Sequence, residues 1–114
     1  MGYTQHEMEF DGKTWHILCG KDAKSNDNLL DMARPQDMWF HIADQPSGHV
    51  ILFVEENEQL KKIPRQVLRR CACICKATIK ASKHSEIIYT RRENVKKTEV
   101  LGCVTTKNTK SIVI

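Results

Sequence analysis

Between Ala33 and Val50 the chain gathers most of the side chains able to do chemistry. Arg34, Asp37, Trp39 and His41 lie in one run, and Ser47, Gly48 and His49 follow a turn. Two imidazoles that titrate near neutral pH, together with a carboxylate, are suited to general acid–base work on a phosphodiester. The same residues serve binding equally well. Arginine and histidine donate to phosphates or bases, and the backbone amides of Ser47 and Gly48 offer a phosphate cradle. A third reading is architectural, with His41 a satisfied half-buried strand residue, Asp37 capping a turn and Trp39 in the core. Residue types alone leave these three readings open. The two histidines lack a carboxylate or thiolate at metal-ligand spacing, and Cys71, Cys73 and Cys75 miss the usual zinc patterns. Neither a metal nor a cofactor is therefore expected.

A second constellation is electrostatic. Placed on a helix at 100° per residue with Val67 at zero, Val67, Leu68, Cys71, Ala72, Ile74, Cys75 and Ile79 fall between about −20° and 140°. Arg65, Arg69, Lys76, Lys80 and Lys83 fall between about 160° and 220°, a row on the opposite flank. Arg65/Arg69 and Lys76/Lys80 are like-charge pairs four residues apart with no acidic relief, which repel on an isolated helix. Such a row is either a solvated outer face or a track for a polyanion. Arg91, Arg92, Lys96 and Lys97 add to it further along the chain.

The elements that position these residues follow from local pattern. Asp11-Gly12 separates two extended runs, Glu7–Phe10 and Lys13–Leu18, and predicts a tight hairpin. The polar stretch Lys21–Asn28 is rich in helix-capping residues, and a short helix is expected to end near Met32 or Ala33, before Pro35. Met38–Ile42 reads as a strand with Trp39 and His41 on one face and Phe40 and Ile42 on the other. A turn at Gln45–Gly48 leads to the apolar strand His49–Val54, which places His41 and His49 near one another if the two strands pair. A long helix is predicted from Pro64 to about Ser82. Further strands are expected over Glu86–Thr90, Val104–Thr106 and Ser111–Ile114. The predicted class is α+β, a mixed or antiparallel sheet of about six or seven strands packed with one long and one short helix.

The 114 residues are expected to form one domain over residues 1–114. The formal net charge of +4 conceals a split. Residues 1–57 hold 4 basic and 10 acidic side chains, or −6, and residues 58–114 hold 14 and 4, or +10. A basic half is the footprint of a polyanion partner, RNA or DNA. No apolar run approaches the ~18 residues of a membrane span. The start, Met1–Glu7, lacks the basic and apolar regions of a signal peptide. Five cysteines without an export signal suit a reducing compartment, so a cytoplasmic location without membrane attachment is expected.

Three ordered blocks carry a family resemblance: Gly20-Lys21-Asp22-Ala23-Lys24-Ser25-Asn26-Asp27-Asn28-Leu29, Ala33-Arg34-Pro35-Gln36-Asp37-Met38-Trp39-Phe40-His41, and Pro46-Ser47-Gly48-His49-Val50-Ile51. With Tyr89-Thr90 and Asn94-Val95-Lys96-Lys97, they resemble the NFACT-R domain of the ribosome quality-control factors RqcH and NEMF. The resemblance spans about residues 15–114 and implies a stand-alone version of that domain. It implies RNA binding, chiefly tRNA and ribosomal RNA, ribosome association, and no established catalysis. By motif position it implicates Lys21, Asn26, Arg34, Asp37, Trp39, His41, Ser47, Gly48, His49, Lys96 and Lys97. The resulting expectation is a binding domain in which Arg65, Arg69, Lys76, Lys80, Lys96 and Lys97 hold the RNA backbone and Arg34, His41 and His49 form a selective pocket. The competing expectation is an RNA-modifying or RNA-cleaving enzyme that uses His41, His49 and Asp37.

Overall fold

Asp11 and Gly12 both adopt positive φ, 52° and 79°, the geometry that lets a two-residue turn match the twist of paired strands. They join β1 (Tyr3–Phe10) to β2 (Lys13–Gly20), with Phe10 opposite Lys13 and Tyr3 opposite Gly20. The computed structural model describes residues 2–43, 45–79 and 84–114. In chain order the remaining elements are α1 (Ala23–Met32), β3 (Met38–Ile42), β4 (Val50–Leu52), α2 (Arg65–Lys76), β5 (Glu86–Arg91), β6 (Val95–Lys97), β7 (Val104–Thr106) and β8 (Lys110–Val113). Two 3₁₀ turns, Leu60–Lys62 and Arg92–Asn94, complete them.

Six strands form one antiparallel sheet in the order β1-β2-β4-β3-β5-β8, and β6 and β7 pair in a separate hairpin. Strand alternation sorts the apolar side chains between two layers. Ile17, Met38, Phe40, Ile42, Val50, Leu52 and Ile87 pack against Val67, Cys71, Ala72 and Cys75 of α2. On the other face, Leu18, Trp39 and Ile51 meet Leu29 and Leu30 of α1 and Val95 of β6. The sheet is therefore covered on both sides, and each face is a core in its own right.

The α+β class and the antiparallel sheet agree with the sequence pattern. Cys71 and Cys75 are buried together, while Cys73 is half-buried on another flank. Two details differ. The end of the basic segment Arg91–Lys97, to which the local pattern assigns no element, contributes an eighth described strand, β6. The second helix ends at Lys76, so at 12 residues it barely exceeds the 10 of α1. Its termination has a side-chain cause. Thr78 Oγ1 donates to the Cys75 carbonyl at 2.7 Å, and the Thr78 and Ile79 amides switch to carbonyls three residues back, which tightens the chain out of α geometry. Lys80 and Lys83 of the expected basic row lie outside the described residues.

Candidate nucleic-acid interface

The antiparallel pairing of β3 and β4 sets Phe40 opposite Val50, so the next positions along the ladder are His41 and His49. Both point to the face that carries Trp39. The Trp39 and His41 rings stack with centroids 5.6 Å apart and planes 3° from parallel. His49 stands edge-on to both, 5.4 Å from Trp39 and 5.1 Å from His41. This aromatic triad floors a cleft of about 640 Å³, within the range of small-molecule and cofactor sites. Lys21, Asn26 and the start of α1 form one wall, and the β6–β7 turn at Leu101–Val104 forms another. Gln45–Gly48, Thr78, Ile79 and Ile88 also line the cleft.

The loop that delivers His49 is held by hydrogen bonds within the fold. Asn26, buried on α1, accepts from the His49 amide at 2.9 Å and donates to the Ser47 carbonyl at 3.4 Å. The Gly48 amide donates to Thr78 Oγ1 at 2.9 Å, so it is not free to cradle a phosphate. Ser47 Oγ accepts from the Ile42 amide and donates to the Gly48 carbonyl. A Cβ on Gly48 would collide with the Gly20 carbonyl oxygen and lie 2.8 Å from Thr78 Cγ2. Gly48→Ala is therefore expected to destabilise the protein by about 2 kcal/mol or more, by analogy with overpacking in cores. A lowered denaturant midpoint at unchanged m-value checks it.

Burial sets the charge of the cleft floor. It pushes His49 down to about 3, with a smaller lowering contribution from His41 and an opposing one from Asp27. Burial also lowers His41, opposed by a hydrogen bond at Ile42. Both rings are thus neutral at pH 7. A depressed native pKa means that the unfolded chain takes up the proton first. The stability His49 contributes is present above about pH 6.5 and is lost as pH falls toward 3. Stability is expected to drop over that window with a slope approaching ~1.4 kcal/mol per pH unit from His49 alone. Urea midpoints measured at several pH values should show that slope flatten in His49→Gln.

Arg34 and Asp37 sit at the opposite end of β3 and do not line this cleft. Asp37 is fully buried. Its carboxylate accepts from the Arg34 amide at 2.8 Å, from the Arg34 guanidinium at 3.1 and 3.3 Å, and from the Val54 amide at 2.9 Å. Arg34 in turn donates to the Val54 carbonyl at 2.7 Å. The cluster clamps the end of β4 to the entry of β3. Consequently Asp37 stands apart from His41 and His49, and the carboxylate that an acid–base triad would need is occupied elsewhere. The expected grouping of Arg34 with the two histidines is corrected in the same way.

Much of the basic surplus has local employment. Arg91 donates to the Gln36 and Glu58 carbonyls, both at 2.6 Å, and Arg92 to those of Leu30 and Val95. Lys97 bridges Asp27 and Asp31 of α1 at 3.0 and 2.6 Å, and these two carboxylates raise its pKa. Lys76 donates to the Ile114 carbonyl at 2.9 Å. By contrast Arg65 and Arg69 are exposed, as are Arg70 and Lys96, and none of them forms an ion pair among the described residues.

Arg70 was outside the predicted row, yet it joins the two halves of the surface. It walls a second groove of about 450 Å³ between α2 and the β1–β2 edge, together with Thr4, His6, Cys73 and Ile74. Lys21 and Thr78 line both the cleft and this groove. Through these two shared residues the aromatic cleft adjoins the groove that Arg70 walls. Arg70 lies at about −60° on the helical projection, on the flank facing β1. That angle lies outside the row between about 160° and 220°, so helical spacing alone does not single Arg70 out.

The family model described as the NFACT protein RNA binding domain matches residues 5–108. Coiled-coil domain-containing protein 25 of Mus musculus is 38% identical over 88 residues, 75% of this chain and 42% of its own length. Protein JLP2 of Saccharomyces cerevisiae is 31% identical over 94 residues, 77% of this chain and 45% of its own. The chain thus spans about two fifths of the curated relatives it matches. Among solved structures, the C-terminal part of the fibronectin/fibrinogen-binding protein from Streptococcus suis superposes with a TM-score of 0.72 at 25% identity, covering 96% of this chain and 44% of that one. No described helix is long and apolar enough to cross a membrane.

Proposed function

The chain belongs to the NFACT RNA-binding domain family, and on that premise we propose that it binds structured RNA, tRNA or ribosome-associated RNA, in cytoplasmic translation and ribosome quality control, without catalysing a reaction. The observation that carries this reading is that the aromatic cleft and the groove walled by Arg70 share Lys21 and Thr78, beside the exposed Arg65 and Arg69 of α2. Exposed guanidinium groups that lack acidic partners attract and hold phosphates without reading sequence, whereas an aromatic cleft engages bases. Separating the two functions along one path allows backbone tracking at α2 and selection at the cleft. The position of Asp37, engaged by Arg34 and Val54, supports binding over acid–base chemistry.

Filter binding of the protein to tRNA at two salt concentrations tests the reading. Three to five phosphate contacts are expected to give a log–log salt slope of roughly −3 to −4. Co-sedimentation with large ribosomal subunits tests the ribosomal setting, and is expected to diminish after RNase treatment. Absence of tRNA binding at low salt would overturn the proposal, and subunit binding that survives RNase would assign the interaction to ribosomal protein instead.

A further inference from the structure

We propose that the cleft over Trp39, His41 and His49 receives a single unstacked nucleobase, an inference that rests on the RNA-binding reading and names the part of the RNA the cleft takes. Its floor is a neutral aromatic surface, because burial keeps both imidazoles unprotonated. The half-buried ring of His41 lies parallel to the indole of Trp39. A planar, uncharged heterocycle is the ligand class that such a surface fits, whereas a bare phosphate would find no cation on the floor. Lys21 stands at the rim, where a nucleotide's own phosphate would meet it.

Two independent features point the same way. The indole Nε1 of Trp39 and Nδ1 of His49 are buried without a hydrogen-bond partner among the described residues, on side chains 1% exposed. An indole N–H can only donate, and an unmet buried donor is costly, so a base whose entry shifts the floor enough to admit a carbonyl oxygen or ring nitrogen would relieve it. The lip is apolar as well: Leu101 is 54% exposed on the β6–β7 turn. That turn is seated on α1 by Gly102, which has φ +78° and no room for a Cβ against Ala23. Exposed leucine beside an aromatic floor with unmet polar atoms beneath it gives a base an apolar surface to cover and a hydrogen-bonding group to meet.

The indole N–H resonances of the ¹⁵N-labelled protein provide the test, because Trp15 Nε1 is also buried and unpartnered but lies on the opposite face of the sheet. Adenosine, cytidine, guanosine and uridine monophosphates are titrated at millimolar concentration, with ribose 5-phosphate as the baseless control. At least one nucleotide is expected to move the Trp39 signal saturably while Trp15 stays fixed and ribose 5-phosphate does nothing. In parallel, removing bases from the unpaired loop of a bound RNA is expected to weaken binding about tenfold at the one sensitive position. Leu101→Asp, a change on the exposed lip that leaves the core intact, should abolish both effects. If RNA binds with the expected salt slope while no nucleotide moves Trp39 and no abasic position matters, the base pocket is wrong and the RNA reading stands. If ribose 5-phosphate moves Trp39 equally, the cleft is a phosphate site and the proposal is overturned. If nucleotides saturate Trp39 but no RNA binds, the base pocket survives and the RNA reading fails.

Discussion

Reversing Arg65, Arg69 and Arg70 to glutamate together is expected to lower RNA affinity by about two orders of magnitude or more at low salt and to reduce the salt slope by about 3. Three phosphate contacts disappear, and three carboxylates then repel the same backbone. The fold should survive. All three side chains are exposed, and the apolar stripe of α2 lies on the other flank, through Val67, Leu68, Cys71, Ala72 and Cys75. Circular dichroism and the denaturant midpoint should stay near wild type. Lys97→Ala provides the contrast. Asp27 and Asp31 already hold that ammonium, so its removal should leave RNA affinity nearly unchanged, although its motif position singles it out. Filter binding of the two variants beside wild type separates placed charge from counted charge.

Asp37→Ala has the second large effect, on stability. The substitution removes the acceptor of the Arg34 and Val54 amides and leaves the Arg34 guanidinium without its carboxylate. Arg34 is half exposed, so the cost comes chiefly from the two backbone amides left without an acceptor, about 1–3 kcal/mol each, which should lower the melting temperature by roughly 10 °C or more for a domain of this size. Asp37→Asn should recover part of the loss, since its amide oxygen can still accept from a backbone N–H. If the domain still folds, RNA affinity per folded molecule should change little, because Asp37 does not line the cleft. An acid–base role would show the reverse: a folded, stable Asp37→Ala protein with altered RNA chemistry.

What sequence could reveal here follows the range of the interactions. The Asp11-Gly12 turn, the alternation in Met38–Ile42 and the apolar stripe of α2 are local and were readable. The meeting of His41 and His49 was readable too, because a turn of known length joins their strands. Long-range satisfaction was not. Arg91 and Arg92 look like free charge until the carbonyls of Gln36, Glu58, Leu30 and Val95 come within reach. Lys97 looks free until α1 presents Asp27 and Asp31 from 70 and 66 positions away. The early end of α2 depends on Thr78, which also accepts from Gly48 across 30 residues. The candidate site was thus half legible. Its aromatic residues were identified, while Arg34 and Asp37 belong to a different clamp and Arg70 and Leu101 emerged only from the folded surface.

The central claim is that one RNA path joins the aromatic cleft to the outer face of α2. Amide shift mapping of the labelled protein during titration with a tRNA-derived stem-loop tests it most directly. Perturbations are expected to form one connected set that includes Lys21, His41, Thr78, Arg70 and Arg69, and to spare the Asp27–Asp31–Lys97 face of α1. Perturbations confined to that face, or to the Lys107–Lys110 turn, with Lys21, His41 and Arg70 unmoved at saturation, would contradict the account.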